Sequence, residues 1–197
     1  MPQTETEVRH EDWDGRDLSG HVHTGVGFAD VDMTEVTNDG GVFTGCTFAD
    51  VQFNVSVHTN AAFLNCTFTR CSFFDARFTA CKLVGCTFDR CTFSLVKVEG
   101  GDWSFVGLPG ADLSSASFVG VRMREADLTG VRGEGGTLRD LDLSGASLNH
   151  ANLSGCDLRG CDLSSLDPTN VDLRGAVIGW EQAVQLMTAL GLDVRPD

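Results

Sequence analysis

No run in this 197-residue chain approaches the roughly 18 consecutive apolar residues of a membrane-spanning helix, so no membrane span is expected. No basic segment followed by an apolar one opens the chain, so no secretory signal is expected, and a cytoplasmic location follows as an expectation. Basic residues are scarce: 14 Lys and Arg stand against 28 Asp and Glu, a net charge of −14. The imbalance is uneven. Residues 1–60 hold 11 acids and two bases (Arg9 and Arg16), a net of −9, whereas residues 61–100 hold three acids and five bases. Residues 101–178 contribute −5 and the tail −2. Direct binding to nucleic acid is disfavoured, because affinity for it comes from cationic side chains that neutralise phosphates. Also missing are a Ser-His-Asp set, a phosphate-binding glycine loop and a catalytic carboxylate pair, so no enzyme activity, catalytic residue or cofactor is expected.

What the chain does have is a period of five. From Trp13 to Ile178 every fifth position is a centre, and 29 of these 34 centres are apolar. The exceptions are His23, Asn38, His58, Gly133 and Pro168. A period of five matches neither a helix nor a strand, and it calls for a backbone that turns a corner once per repeat. Two residues before most centres stands a small residue, as at Val31, Cys46, Ala61 and Ala126. A large and a small inward residue per side suit the interior of a narrow square tube. Two residues after the centre fall 15 of the 23 glycines, where a corner asks for positive φ. Aspartate is frequent one residue before the centre, where a short polar side chain can bond turn backbone.

The repeat columns also account for residues that would otherwise suggest chemistry. All eight cysteines lie in the small inward column, which makes them core residues and free thiols, with no metal site expected. Cys46, Cys66 and Cys86 should stack coil upon coil, as should Cys71 and Cys91. His58 should stand directly above Asn38, either as a hydrogen-bonded pair inside the tube or on a side that bulges outward. His10, His21, His23 and His150 show no ligand spacing. Val55, Phe74 and Leu95 should lie outward along one face, either as scattered apolar groups or as a contact stripe. Leu64 and Phe105 are nominally outward too.

Both ends of such a tube need covers. Residues 1–12 carry no repeat and are expected to be a flexible extension. The solenoid should span 13–178, with a helix and tail over 179–197. Trp180, Ala183, Val184, Met187 and Leu190 have the spacing of an amphipathic helix, which Gly191 would end. One face should cap the last coil, leaving Leu186 and part of Trp180 for a partner.

The stretches Ala111-Asp112-Leu113-Ser114-Ser115, Ala126-Asp127-Leu128-Thr129-Gly130 and Cys156-Asp157-Leu158-Arg159-Gly160 resemble the repeat unit of pentapeptide-repeat proteins. The tail from Asp172 to Leu192, with its Gln182-Ala183 helix start and Leu190-Gly191-Leu192 finish, is similar to the MfpA- and Qnr-like fluoroquinolone-resistance branch of that family. The resemblance implies an all-β solenoid: a right-handed quadrilateral β-helix of about eight coils, roughly 40 Å long at the strand spacing, with a short C-terminal capping α-helix. It also implies a DNA mimic that binds DNA gyrase and modulates it or protects it from poisons such as fluoroquinolones. A homodimer through the C-terminal end is implied as well, with Trp180, Val184, Leu186, Met187 and Leu190 capping or pairing. Charge alone allows two readings, a solubilising surface or one that imitates phosphates, and the resemblance favours the second. Asp30, Asp32, Glu35 and Asp50 are the first candidate gyrase contacts, with Asp102, Asp127 and Asp142 as the later set. The alternatives are a scaffolding protein of the same fold without a topoisomerase role, or a self-resistance protein of an antibiotic producer.

Overall fold

The computed structural model describes residues 6–195. Wall positions pair in parallel with those 20 residues on, from Thr6↔Val26 through Phe48↔Phe68 and Phe118↔Leu138 to Asp157↔Val177. Four five-residue sides therefore close one coil, and the coils stack into a solenoid. Three of the four walls are parallel sheets of five, six and three strands. The fourth is a column of single bridges that runs Asp12↔Asp32↔Gln52↔Ser72↔Thr92. One helix, α1 (Trp180–Ala189), follows the last coil.

The corners explain why strands stay about three residues long. Two residues after nearly every centre the backbone takes positive φ, whichever residue stands there, with Ser115, Ser165 and Asn170 the exceptions before α1 begins. Gly15, Gly40 and Gly145 do so, and so do Asp50 (57°), Val55 (59°), Leu95 (61°) and Phe105 (60°). A β-branched residue such as Val55 is strained in this region, which shows that the coil dictates the corner. The expected aspartates cap the turns. Oδ1 of Asp17, Asp32, Asp127 and Asp162 accepts the N–H of Ser19, Thr34, Thr129 and Ser164 at 2.9–3.0 Å.

Inside, the centres form aromatic stacks parallel to the axis. Phe28, Phe48, Phe68 and Phe88 follow one another with ring centroids 5.0, 4.7 and 4.6 Å apart. Beyond Trp103 the centres turn mainly to leucine. Stacking rings at the coil spacing bury them fully and add to plain area burial.

The polar centres resolve individually. Asn38 and His58 point inward and are both buried, which settles the choice between an interior pair and a bulge. Gly133 makes room for Leu153, whose Cδ2 lies 3.0 Å from where a Cβ would sit. Pro168 falls in the final coil. Centre N–H groups bond the following coil, as Leu128 N does to Ser147 O at 2.8 Å, and the final coil has no successor to miss a donor.

The expected flexible extension over 1–12 is corrected in part. β1 (Thr6–Arg9) pairs with β2 (Val26–Ala29), and Val8, which continues the five-residue register backwards, packs on the core. The ladder partner reaches five residues earlier than the apolar pattern alone suggested. Residues 1–5 of that segment lie outside the described residues.

Candidate binding surfaces

Four of the seven candidate acids belong to the turn-capping column. Asp32, Asp102, Asp127 and Asp142 each spend Oδ1 on a turn N–H, that of Thr34, Ser104, Thr129 and Ser144. Oδ2 remains for the surface. Asp30, Glu35 and Asp50 instead occupy positive-φ corners, with φ of 55°, 55° and 57°, and project outward.

The structure separates neutralised acids from unpaired ones. Asp50 is held by Arg70 one coil later, with Nε at 2.7 Å, and this lowers its pKa. Partial burial pushes Asp102 up, but Ser104 and the Arg122 guanidinium 3.0 Å away bring it below the usual carboxylate range. The Ser144 hydroxyl and Arg124 lower Asp142 likewise. Asp30 hydrogen-bonds His10 Nδ1 at 2.8 Å. Among the described residues, Asp32, Glu35 and Asp127 have no ion-pair partner within 4.0 Å.

Asp32 and Glu35 sit in an acidic N-terminal patch that also holds Asp12 and Asp14. Asp12 and Asp32 are register partners on the same wall. The later trio does not join it: Asp102 and Asp142 lie on another wall, in a column that alternates Lys82, Asp102, Arg122 and Asp142, and Asp127 lies on a third.

The C-terminal end departs from the sequence expectation by a shift in helix phase. The buried helical residues are Gln182 and Leu186. Leu186 packs on the core, so it caps the coil and is not left for a partner. Val184 is half-buried, while Trp180 is 79 % exposed and Met187 and Leu190 are 43 % and 50 % exposed. With Val177, Leu192 and Val194 they leave apolar surface open at this end. Gln182 does the sealing. Its Nε2 donates to Leu158 O at 2.7 Å and Cys161 O at 2.9 Å, and its Oε1 accepts from Gly179 N at 2.6 Å. The apolar pattern gave no hint of it; the signal was the need for a donor at the open carbonyls of a last coil.

The Val55, Phe74 and Leu95 stripe is present and exposed, as is Phe105, whereas Leu64 is half-buried. All eight cysteines are free thiols, seven of them buried. Most donate to a carbonyl of the preceding coil, as Cys81 Sγ does to His58 O at 3.3 Å and Cys86 Sγ to Phe63 O at 3.2 Å. Among the described residues, no group of three or more His, Cys, Asp or Glu is placed to hold a metal ion, and no helix is long and apolar enough to cross a membrane.

The pattern of the family called Pentapeptide repeats matches residues 71–102, 107–132, 134–164 and 142–178, more than half of the chain. No curated protein sequence matches it. Among solved structures, a trypsin-treated variant of QnrB1, a plasmid-mediated fluoroquinolone resistance protein, is similar at 23% identity. That match covers 97% of this chain and 98% of the other, with a TM-score of 0.55. Full-length QnrB1 matches at 22% identity over 94% and 100% of the two chains, with a TM-score of 0.42. HetL from Nostoc sp. strain PCC 7120, involved in heterocyst differentiation regulation, matches at 20% identity over 87% and 82%, with a TM-score of 0.38. At these identities the first likeness establishes the fold.

Proposed function

This chain belongs to the pentapeptide-repeat family, and on that premise we propose that it is a DNA-mimicking binding protein whose partner is DNA gyrase. It works by charge placement and rod shape and uses no catalytic residue. The observation that carries this reading is the unpaired acidic patch on the first coils. Asp12, Asp14, Asp32 and Glu35 lie on or beside one wall with no cation within 4.0 Å among the described residues. Register partners on successive coils stand about 4.8 Å apart, so Asp12 and Asp32 stack two anions along the rod axis, with Asp14 and Glu35 beside them. A surface that binds DNA is built to meet regularly spaced negative charge. The fold likeness to QnrB1 and the resemblance of the tail to the MfpA- and Qnr-like branch support gyrase as the partner.

The open apolar surface at the other end supports a homodimer through the helix, with Trp180, Met187 and Leu190 as its contacts. Pairing there would double the rod and leave the two acidic patches at its outer ends. The test is a gyrase supercoiling assay, with and without a fluoroquinolone, titrated with this protein. Dose-dependent inhibition or protection is expected. Indifference of the enzyme at micromolar protein would remove the topoisomerase reading and leave the scaffold one.

A further inference from the structure

On the wall that carries Gln52, Ser72 and Thr92 the ladder parts at one level. Ser72 bridges Thr92 and Asp112 bridges Arg132, but Thr92 and Asp112 do not pair. Backbone bonds join the same two coils on either flank, Phe88 N to Gly107 O at 2.9 Å and Ser117 N to Val96 O at 2.8 Å. Between the flanks the link is a side chain, Ser115 Oγ accepting from Leu95 N at 3.3 Å. The core changes here. On this wall Phe53 and Phe73 stack at 5.0 Å, Phe73 and Phe93 at 5.5 Å, and the next centre is Leu113, which offers Phe93 no ring face. The parted coils leave a cleft of about 420 Å³, bounded by Arg90, Cys91, Ser94, Pro109, Asp112 and Arg132.

Cys91 lines that cleft and is the one cysteine of the eight that is not buried. One coil below it in the same inward column stands Cys71. Adjacent parallel strands hold register partners about 4.8 Å apart, inside the roughly 4.4–6.8 Å Cα range that a disulfide spans. Both thiols point the same way off adjacent strands, Cys71 Sγ donating to Phe48 O at 3.4 Å and Cys91 Sγ to Phe68 O at 3.5 Å, and the neighbouring Cys71 sulfur draws the Cys91 pKa below the usual thiol range. The more readily ionised thiol therefore sits at the opening and its partner beneath it.

We propose that Cys91 is a peroxide-reactive thiol and Cys71 its resolving partner, so that oxidation through the cleft joins two coils by a Cys71–Cys91 disulfide. The Cys91 thiolate attacks one oxygen of hydrogen peroxide. The S–O bond forms, the O–O bond breaks, and the departing hydroxide takes a proton to become water. Cys71 sulfur then attacks the sulfenic sulfur of Cys91. The S–S bond forms, the S–O bond breaks, and the leaving hydroxide takes the Cys71 proton as a second water. Two thiols are oxidised by two electrons and one peroxide is reduced.

The chain contains its own control. Cys46, Cys66 and Cys86 are stacked at the same 20-residue spacing, yet the ladder closes over them and all three are buried. The test is maleimide labelling and hydrogen peroxide treatment of the native protein, read by peptide mass mapping. Cys91 should label about tenfold faster than any other cysteine, as accessible thiolates do. Peroxide should link the Cys71 and Cys91 peptides and leave the Cys46, Cys66 and Cys86 thiols free. In Cys71→Ser the reaction should stop at a dimedone-trappable sulfenic acid on Cys91, and Cys91→Ser should abolish both products. Serine is an acceptable replacement, because Ser56 already fills an equivalent inward position, fully buried. Circular dichroism checks that each variant keeps the wild-type fold. Equal labelling of all eight thiols, a crosslink that favours the Cys46–Cys66–Cys86 column, or no trappable product on Cys91 would each overturn the proposal.

Discussion

Asn38 and His58 face each other inside the tube one coil apart, with the amide Nδ2 3.3 Å from the ring Nδ1. The neighbours fix every proton. Ser56 Oγ donates to Phe53 O at 2.7 Å, so at its 3.0 Å contact with His58 Nε2 the ring must donate. Asn38 Oδ1 accepts from Gly41 N at 2.9 Å, so Nδ2 is the atom facing the ring, and Nδ1 must accept. His58 is therefore neutral with its proton on Nε2. A second proton on Nδ1 would oppose an N–H, and flipping the amide would strand the Gly41 donor.

Acid should thus find His58. Burial lowers its pKa to about 3, while the unfolded ring titrates near 6.5. Between those values the unfolded state binds the extra proton, so stability contributed by the neutral ring is present above about 6.5 and is lost as pH falls toward 3. The cost approaches about 1.4 kcal/mol per pH unit in that window. His58→Phe would continue the stack on Phe78, which His58 now meets at 4.8 Å, and should flatten that part of the profile. Chemical denaturation at pH 7, 6, 5 and 4 checks this, with equal slopes in the two proteins as the contrary result.

Gly41 is fixed by the same pair. A Cβ there would stand 2.2 Å from Asn38 Oδ1 and 2.9 Å from Leu18 O. Gly41→Ala should cost about 2 kcal/mol, since it breaks a buried hydrogen bond as well as crowding backbone. The double change with Asn38→Ala should recover part of that loss. The comparison of denaturation midpoints measures it.

The period of five made the walls, corners, inward cysteines and turn-capping aspartates legible before any coordinates. What stayed hidden depends on neighbours distant in sequence. Arg70 neutralises Asp50 and Arg122 neutralises Asp102 across 20 residues, and Arg124 reaches Asp142 across 18. Once a coil of 20 is assumed, the first two pairs could be read off; the diagonal third could not. Gln182 reads as an ordinary polar helix position, because its partners Leu158 O and Cys161 O are donor-hungry only at the end of a stack. That same demand rotates the helix, so Leu186 turns inward and Trp180 outward.

The two faces of α1 should therefore separate in mutants. Gln182→Ala leaves two carbonyls and the Gly179 N–H without their partner and should destabilise the fold by about 2 kcal/mol or more. Trp180→Asp with Leu190→Asp alters exposed groups and should leave the melting transition of the coils nearly unchanged while converting a dimer to monomer. Sedimentation velocity at micromolar concentration distinguishes these. A monomeric wild type, or a double variant that stays dimeric, refutes pairing through this end.

The acids should likewise separate by whether a base already holds them. Replacing Asp12, Asp32 and Glu35 by Asn or Gln removes three unpaired charges without disturbing the coil. Asparagine keeps an oxygen for the turn N–H groups that Asp12 and Asp32 now cap, those of Asp14 and Thr34 at 3.0 and 2.9 Å. Glu35 lies at an outward corner. Asp50→Asn, in contrast, releases Arg70, so it removes one anion and frees one cation beside the patch. If gyrase reads this surface as it reads phosphates, the triple variant should weaken binding by at least about tenfold at physiological salt, where exposed charges are screened beyond roughly 8 Å. The wild-type affinity should fall steeply as salt rises, and the triple variant should show a shallower slope, having fewer ion contacts to lose. Duplex DNA should compete with both. Fluorescence titrations against gyrase across a salt series supply all three readings. A wild-type affinity indifferent to salt and to competing DNA would end the mimicry mechanism. A triple variant that binds as wild type, with salt dependence intact, would move the contact to Asp127 and the paired acids of the later coils.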